Sequence, residues 1–86
     1  HAVVPALDAG PVLAQVRIPV LAGDTPDALA DRLRPREHAL LLASVDAIAR
    51  GRAALRGGRW FVDGRALGAP LLLGDEQHLT TEAGHG

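Results

Sequence analysis

Val12-Leu13-Ala14-Gln15-Val16-Arg17-Ile18-Pro19-Val20, followed after Leu21-Ala22 by Gly23-Asp24-Thr25-Pro26, is the stretch on which the fold turns. In its first part Val12, Ala14, Val16, Ile18 and Val20 fall on one side and Leu13, Gln15, Arg17 and Pro19 on the other. That period of two predicts a half-buried strand. Pro19 cannot donate to a ladder, so the strand ends there or lies at a sheet edge. The second part is a helix start. Thr25 or Asp24 serves as N-cap, Pro26 takes the first helical position, and Asp27 sits at the positive end of the helix dipole.

Outward from this centre, residues 1–4 read as the end of a short β-branched strand. Residues 5–11, with Pro5, Gly10 and Pro11, read as a loop. The helical pattern after Pro26 runs to Arg50, with Gly51 as the stop. Pro35 interrupts it, which predicts two helices over 26–33 and 35–50 with a sharp bend at Arg34-Pro35. On the second, Leu41, Leu42, Val45, Ile48 and Ala49 make the expected apolar stripe, with Arg36, Ser44, Ala47 and Arg50 outside. Gly57-Gly58 between residues 53–56 and 59–62 signals a hairpin, and Asp63-Gly64 a second tight turn. Beyond Gly68 periodicity fades, so residues 68–86 are expected to form a flexible tail.

The fold class is therefore α/β: two strands, a Pro-kinked helix pair and a terminal hairpin. An order of this kind fits the far end of a sheet whose parallel half lies upstream. The chain starts at His1 and contains no methionine, which adds to the expectation of missing upstream sequence.

Composition narrows the function. Eighty-six residues make one small domain or part of a larger one, and no cysteine is present to staple it. Nine arginines, with no lysine, face ten acids for a net charge of −1, giving no general attraction to nucleic acid or an anionic membrane. No apolar run is long enough for a membrane span and no signal peptide precedes the first strand, so a cytoplasmic protein is expected. His38, His78 and His85 share no ligand spacing, so no metal site is expected. Arg50, Arg52, Arg56 and Arg59 cluster around the hairpin as a phosphate-binding group or as a solvated face.

The sharpest local feature is Leu7-Asp8-Ala9-Gly10-Pro11, a rigid turn that can aim a carboxylate. His1 precedes it on the same strand–loop unit, and the two can share a proton network in a cleft. Equally, Asp8 can close its own Asx turn, with His1 as a frayed end. Glu37 has a bland reading too, as a first-turn acid complementing the helix dipole.

Taken together, His1…Leu7-Asp8-Ala9-Gly10-Pro11-Val12-Leu13-Ala14-Gln15, Ile18-Pro19-Val20, Gly23-Asp24-Thr25 and Arg36-Glu37-His38 resemble the phosphoribosylglycinamide formyltransferase family over residues 1–67. The resemblance implies formyl transfer from 10-formyltetrahydrofolate, as donor co-substrate, to glycinamide ribonucleotide in purine biosynthesis. It assigns Asp8 and His1 to catalysis and Val4, Pro5, Ala6, Leu7 and Asp8 to the folate-binding loop. Arg34, Pro35, Arg36 and Glu37 become the ribonucleotide-contacting segment, with Glu37 the principal residue. Pro5 departs from the family pattern by removing a backbone donor, and Arg34-Pro35-Arg36 is unusually basic.

The family's oxyanion-binding asparagine, acid–base histidine and phosphate-cradling glycine loop have no counterpart here, and the chain has no Asn at all. The chain is accordingly expected to supply part of an active site, to be inactive alone, and to need an N-terminal half. The alternatives are a fragment of formyltetrahydrofolate deformylase or methionyl-tRNA formyltransferase, or a small non-enzymatic α/β interaction module. Exposed strands add self-association as an expected property.

Overall fold

The computed structural model describes residues 2–6 and 10–81. In chain order the elements are β1 (Ala2–Ala6), β2 (Ala14–Ile18), α1 (Pro26–Ala49), β3 (Ala53–Arg56), β4 (Arg59–Val62), β5 (Arg65–Ala66), β6 (Leu71–Leu73) and β7 (Leu79–Thr80). The chain is α/β, with one helix and two sheets among the described residues.

The larger sheet has the order β1-β2-β6-β7. β1 lies antiparallel to β2, with Val4 opposite Val16 and Pro5 opposite Gln15. The alternation expected over 12–20 holds within β2, where Ala14, Val16 and Ile18 are buried, Gln15 half-buried and Arg17 exposed, and fails outside it, where Leu13 is fully buried and Val20 exposed. Pro19 ends β2 after Ile18, as its missing donor requires. β1 is longer than expected, because Pro5 and Ala6 continue it where a loop was anticipated. Proline is tolerated there because β1 is the outer strand of the sheet. Residues 53–66 form the smaller antiparallel sheet, β3-β4-β5, turned at Gly57-Gly58 and Asp63-Gly64. All four turn residues have positive φ, between 52° and 84°, the backbone that type I′ hairpin turns demand.

Two expectations about the helix are corrected. First, α1 runs unbroken through Pro35 as a single helix of 24 residues. Proline there removes only the bond to the carbonyl of Asp31. Both Pro35 and Asp31 are exposed, so water can take that carbonyl and the ring stands clear of the core. Second, the inward face is not the aliphatic stripe. Leu40, Ser44 and Ala47 are buried, while Leu41, Leu42, Val45 and Ile48 are exposed.

The cause is phase. With no break at Pro35, the contacts of Leu29 and Leu33 in the first half dictate which side faces the sheet, and a period of 3.6 carries that side to Leu40, Ser44 and Ala47. Small Ala and Ser side chains let the second half lie close to the sheet. The Ser44 hydroxyl is buried there with no partner among the described residues.

The stretch expected as a flexible tail is corrected as well. β6 lies parallel to β2, with Ala14 opposite Leu71, and β7 turns back against β6. Leu71 and Leu73 join Leu13, Val16 and Leu40 in the core. One parallel pairing, β2 with β6, is thus made within the chain. Residues 82–86 lie outside the described residues.

The helix start is fastened to the end of β2. The Thr25 hydroxyl accepts from the Ala28 N–H, closing the cap. Asp24, whose side chain is only 10% exposed, takes both Arg32 guanidinium nitrogens at 2.7 and 2.8 Å and accepts from the Leu21 N–H. Arg32 also donates to the Pro19 carbonyl at 2.8 Å. The Arg32 hydrogen bonds, with the Leu21 N–H second, lower the Asp24 pKa from 3.8 to about 2.

Two outcomes are expected. Leu40→Ala, at a site 1% exposed, should cost about 2–5 kcal/mol in urea unfolding. Leu42→Ala, at 57% exposed, should change stability by no more than about 0.5 kcal/mol. Equal losses at both sites would refute the helix orientation. The depressed Asp24 pKa means the Arg32 pair stabilises fully above the ordinary carboxylate range near pH ~4, and loses that contribution as pH falls toward about 2. Acid titration of the thermal midpoint should therefore be shallower in Asp24→Asn than in the parent over that window.

Candidate active site

Where β1 meets the middle of α1 a groove of about 420 Å³ opens, lined by Val4, Pro5, Ala6, Glu37, His38, Leu40 and Leu41. Its construction follows from local rules. Along β1, Val4 and Ala6 sit on the side shared with Val16 and Ala14 across the ladder, the side packed against the helix. On α1, Glu37 and His38 lie three or four residues before Leu41, so the three share one flank of the helix. Ala6 and Leu40 are buried and form the floor, while Pro5, Glu37, His38 and Leu41 form an exposed rim.

Chemically the groove is an apolar slot with polar groups along one wall. Val4, Pro5, Ala6, Leu40 and Leu41 suit a flat, weakly polar ring. The Glu37 carboxylate offers acceptors to hydroxyl or amine donors, and the His38 imidazole can donate or accept. Among the described residues there is no group of three or more His, Cys, Asp or Glu side chains placed to hold a metal.

The structure brings together residues that the sequence put in two separate lists. Val4, Pro5 and Ala6 from the proposed folate loop share the groove with Glu37 from the proposed ribonucleotide segment. His1, Leu7, Asp8 and Ala9 lie outside the described residues. Arg34 and Pro35 do not line the groove. Arg34 is exposed and bridges to Asp31 one turn back.

Arg36 points away to a different task. It donates to the carbonyls of Leu73 at 3.2 Å and Gly74 at 3.0 Å, and to the Gln77 side-chain oxygen at 2.8 Å. One guanidinium thus holds the β6–β7 turn against the helix, directly beside Glu37 in sequence. His38 and Leu41 are groove residues that the sequence reading left out. The signal for His38 was present in the Glu37-His38 pair, but a lone histidine without ligand spacing gives no functional reading by itself. Leu41 was placed on the core stripe.

A family model of formyl transferases matches residues 1–45, more than half of the chain and both walls of the groove. The chain belongs to the formyl transferase family. Among curated proteins, the phosphoribosylglycinamide formyltransferase of Escherichia coli (strain K12) is 36% identical over 67 residues, which is 78% of this chain and 32% of that protein. The phosphoribosylglycinamide formyltransferases of two Mycobacterium tuberculosis strains, CDC 1551 / Oshkosh and ATCC 25618 / H37Rv, are each 45% identical over 49 residues, 57% of this chain and 23% of theirs. The resemblance drawn from His1 and residues 7–15, 18–20, 23–25 and 36–38 is borne out at the level of the family and of these relatives. This formyl transferase chain spans about a third or less of the length of the curated relatives it matches.

Arg36→Ala should free the β6–β7 turn from the helix and cost about 1–3 kcal/mol, since a charged donor to two backbone carbonyls and the Gln77 side chain is lost. Hydrogen exchange is the measurement: protection at the β6–β7 amides should fall more than protection in the β3–β4 hairpin. A uniform loss would show that Arg36 does not act on that turn in particular.

Proposed function

We propose that the chain supplies one side of a formyl transfer site, in which 10-formyltetrahydrofolate donates its formyl group to glycinamide ribonucleotide. The observation that carries the proposal is the groove that places Val4, Pro5 and Ala6 opposite Glu37 and His38. In the reaction the acceptor amine attacks the formyl carbon, a new C–N bond forms, and the bond from that carbon to the folate nitrogen breaks. One proton must pass from the acceptor amine to the leaving nitrogen.

In this reading β1 and the residues after it hold the folate ring against an apolar wall. Asp8, two residues beyond Ala6 in sequence, supports the proton transfer, and His1 lies within the same strand–loop unit. The Glu37 carboxylate accepts from ribose hydroxyls or from the nucleophilic amine, orienting it toward the formyl carbon. Arg34 and Pro35 border that segment, and Arg36 fixes it in place through its hold on the β6–β7 turn. Holding amine and formyl carbon in contact is the chief contribution such a wall can make. Oxyanion donors and the acid–base histidine come from an N-terminal half, so the chain alone is inactive. The setting is cytoplasmic purine biosynthesis, with small-molecule substrates. No described helix is long and apolar enough to cross a membrane.

The test mixes this chain with the N-terminal two-thirds of the Escherichia coli relative and follows formyl transfer from 10-formyltetrahydrofolate to glycinamide ribonucleotide. Activity should appear only on mixing. Asp8→Asn should lower it roughly 10²–10⁴-fold, the usual range for a lost acid–base partner. Glu37→Gln should raise the ribonucleotide KM more than it lowers kcat. Formyl release to water with no transfer would instead identify a deformylase, and transfer to initiator tRNA a methionyl-tRNA formyltransferase. Association of the halves with no folate binding would leave a non-enzymatic module.

A further inference from the structure

We propose that the tip of the β3–β4 hairpin binds a phosphate or similar small tetrahedral oxyanion between Arg56 and Arg59. The site shares no lining residue with the groove and does not depend on the formyl transfer proposal.

The register makes the case. Arg56 and Arg59 are direct cross-strand partners on either side of Gly57-Gly58, and both are exposed. Directly opposed residues project from the same face with Cβ atoms about 4.5–5.5 Å apart, and like charges so placed destabilise a sheet. The same face carries Ala54, Phe61 and Ala66, none of them acidic. Four other arginines are ion-paired: Arg32 with Asp24, Arg34 with Asp31, Arg50 with Asp46 and Arg52 with Asp63. Arg56 and Arg59 form no ion pair with a described residue. Two permanent cations are therefore held side by side at a cost, which an anion between them would turn into attraction.

The surroundings suit an oxyanion. The Arg56 guanidinium lies over the Phe61 ring, 6.0 Å from its centroid. Stacking of that kind engages the flat face of the cation and leaves its in-plane N–H fork available to oxygen. Gly57 and Gly58, at φ 57° and 77°, put no side chain over the tip. Their N–H groups make no backbone hydrogen bond with a described residue, so they add two open donors. The tip is thus rich in donors and free of carboxylates. Its extent sets the ligand size. With two cations on the face, bounded by Ala54 and Ala66, and a net charge of −1 on the whole chain, it fits one or two phosphoryl groups and not a polyanion track.

The experiment titrates the ¹⁵N-labelled 86-residue chain with inorganic pyrophosphate. Saturable shifts are expected at the Gly57 and Gly58 amides. Arg56→Gln or Arg59→Gln should each weaken binding roughly tenfold or more, and the double variant should abolish it. Arg65→Gln, on the opposite face of the sheet, should bind as the parent does. Arg59→Glu guards against a folding artefact: it converts repulsion to cross-strand attraction, so its thermal midpoint should rise while binding is lost. Absence of saturable shifts, shifts that survive in the double variant, or binding confined to an oligonucleotide or to phosphatidylserine vesicles would each overturn the proposal.

Discussion

The seating of α1 across β1 and β2 is the contact from which the remaining architecture follows. Leu40, nearly inaccessible to solvent, drops onto the strand pair beside Val16 and Leu13, and Leu33 and Leu29 pack on the same core about two and three turns nearer the helix start. Because a helix is rigid over this length, fixing its first turns fixes which residues of its last turns look inward. Asp24 and Arg32 supply that fixing. They tie the segment after β2 to the second turn of the helix, with the Pro19 carbonyl drawn in by the same guanidinium. The groove is a by-product of this seating: only with Leu40 on the floor do Glu37, His38 and Leu41 come to stand along the outer strand.

Arg36 links the site to the part of the chain farthest from it in sequence. Its neighbour Glu37 lines the groove, while its own guanidinium grips the turn between β6 and β7. The segment proposed to meet the ribonucleotide is basic here for a structural purpose at one position at least. A positive charge beside a substrate carboxylate or phosphate would ordinarily be assigned to recognition, yet this one has its donors committed to backbone carbonyls. The strands after Gly68 therefore bear on the proposed site through a mechanical connection, without lining it.

Much of the framework was legible from residue order. The Thr25 cap, Pro26 at the helix start, the alternation from Ala14 to Ile18 and the double-glycine turn all act locally, and each appears where the pattern puts it. Two features escaped because their causes are not local. Pro35 looks like a break until the solvent exposure of its ring and of Asp31 is known, and misplacing that break lost the helical phase. The three leucines of β6 show no alternation, since both neighbours that define them as a strand come from elsewhere in the sheet. For the site, residue chemistry nominated Glu37 only weakly; the family resemblance named it and Val4–Ala6 for different ligands, and only the geometry set them on one groove. His38 and Leu41 needed the geometry, because nothing in their spacing separates a groove wall from solvent.

The parallel pairing of β2 with β6 has a consequence for how the protein is made. Residue 14 meets residue 71, so nearly the whole chain must leave the ribosome before the central sheet can close. β1, β2 and α1 emerge long before that, with the inner edge of β2 unpaired. Contacts of such long range slow folding, and an open strand edge during synthesis is an invitation to wrong partners. The hairpin of β3, β4 and β5, built from neighbours in sequence, can form while it waits, and delivers β6 to the gap last.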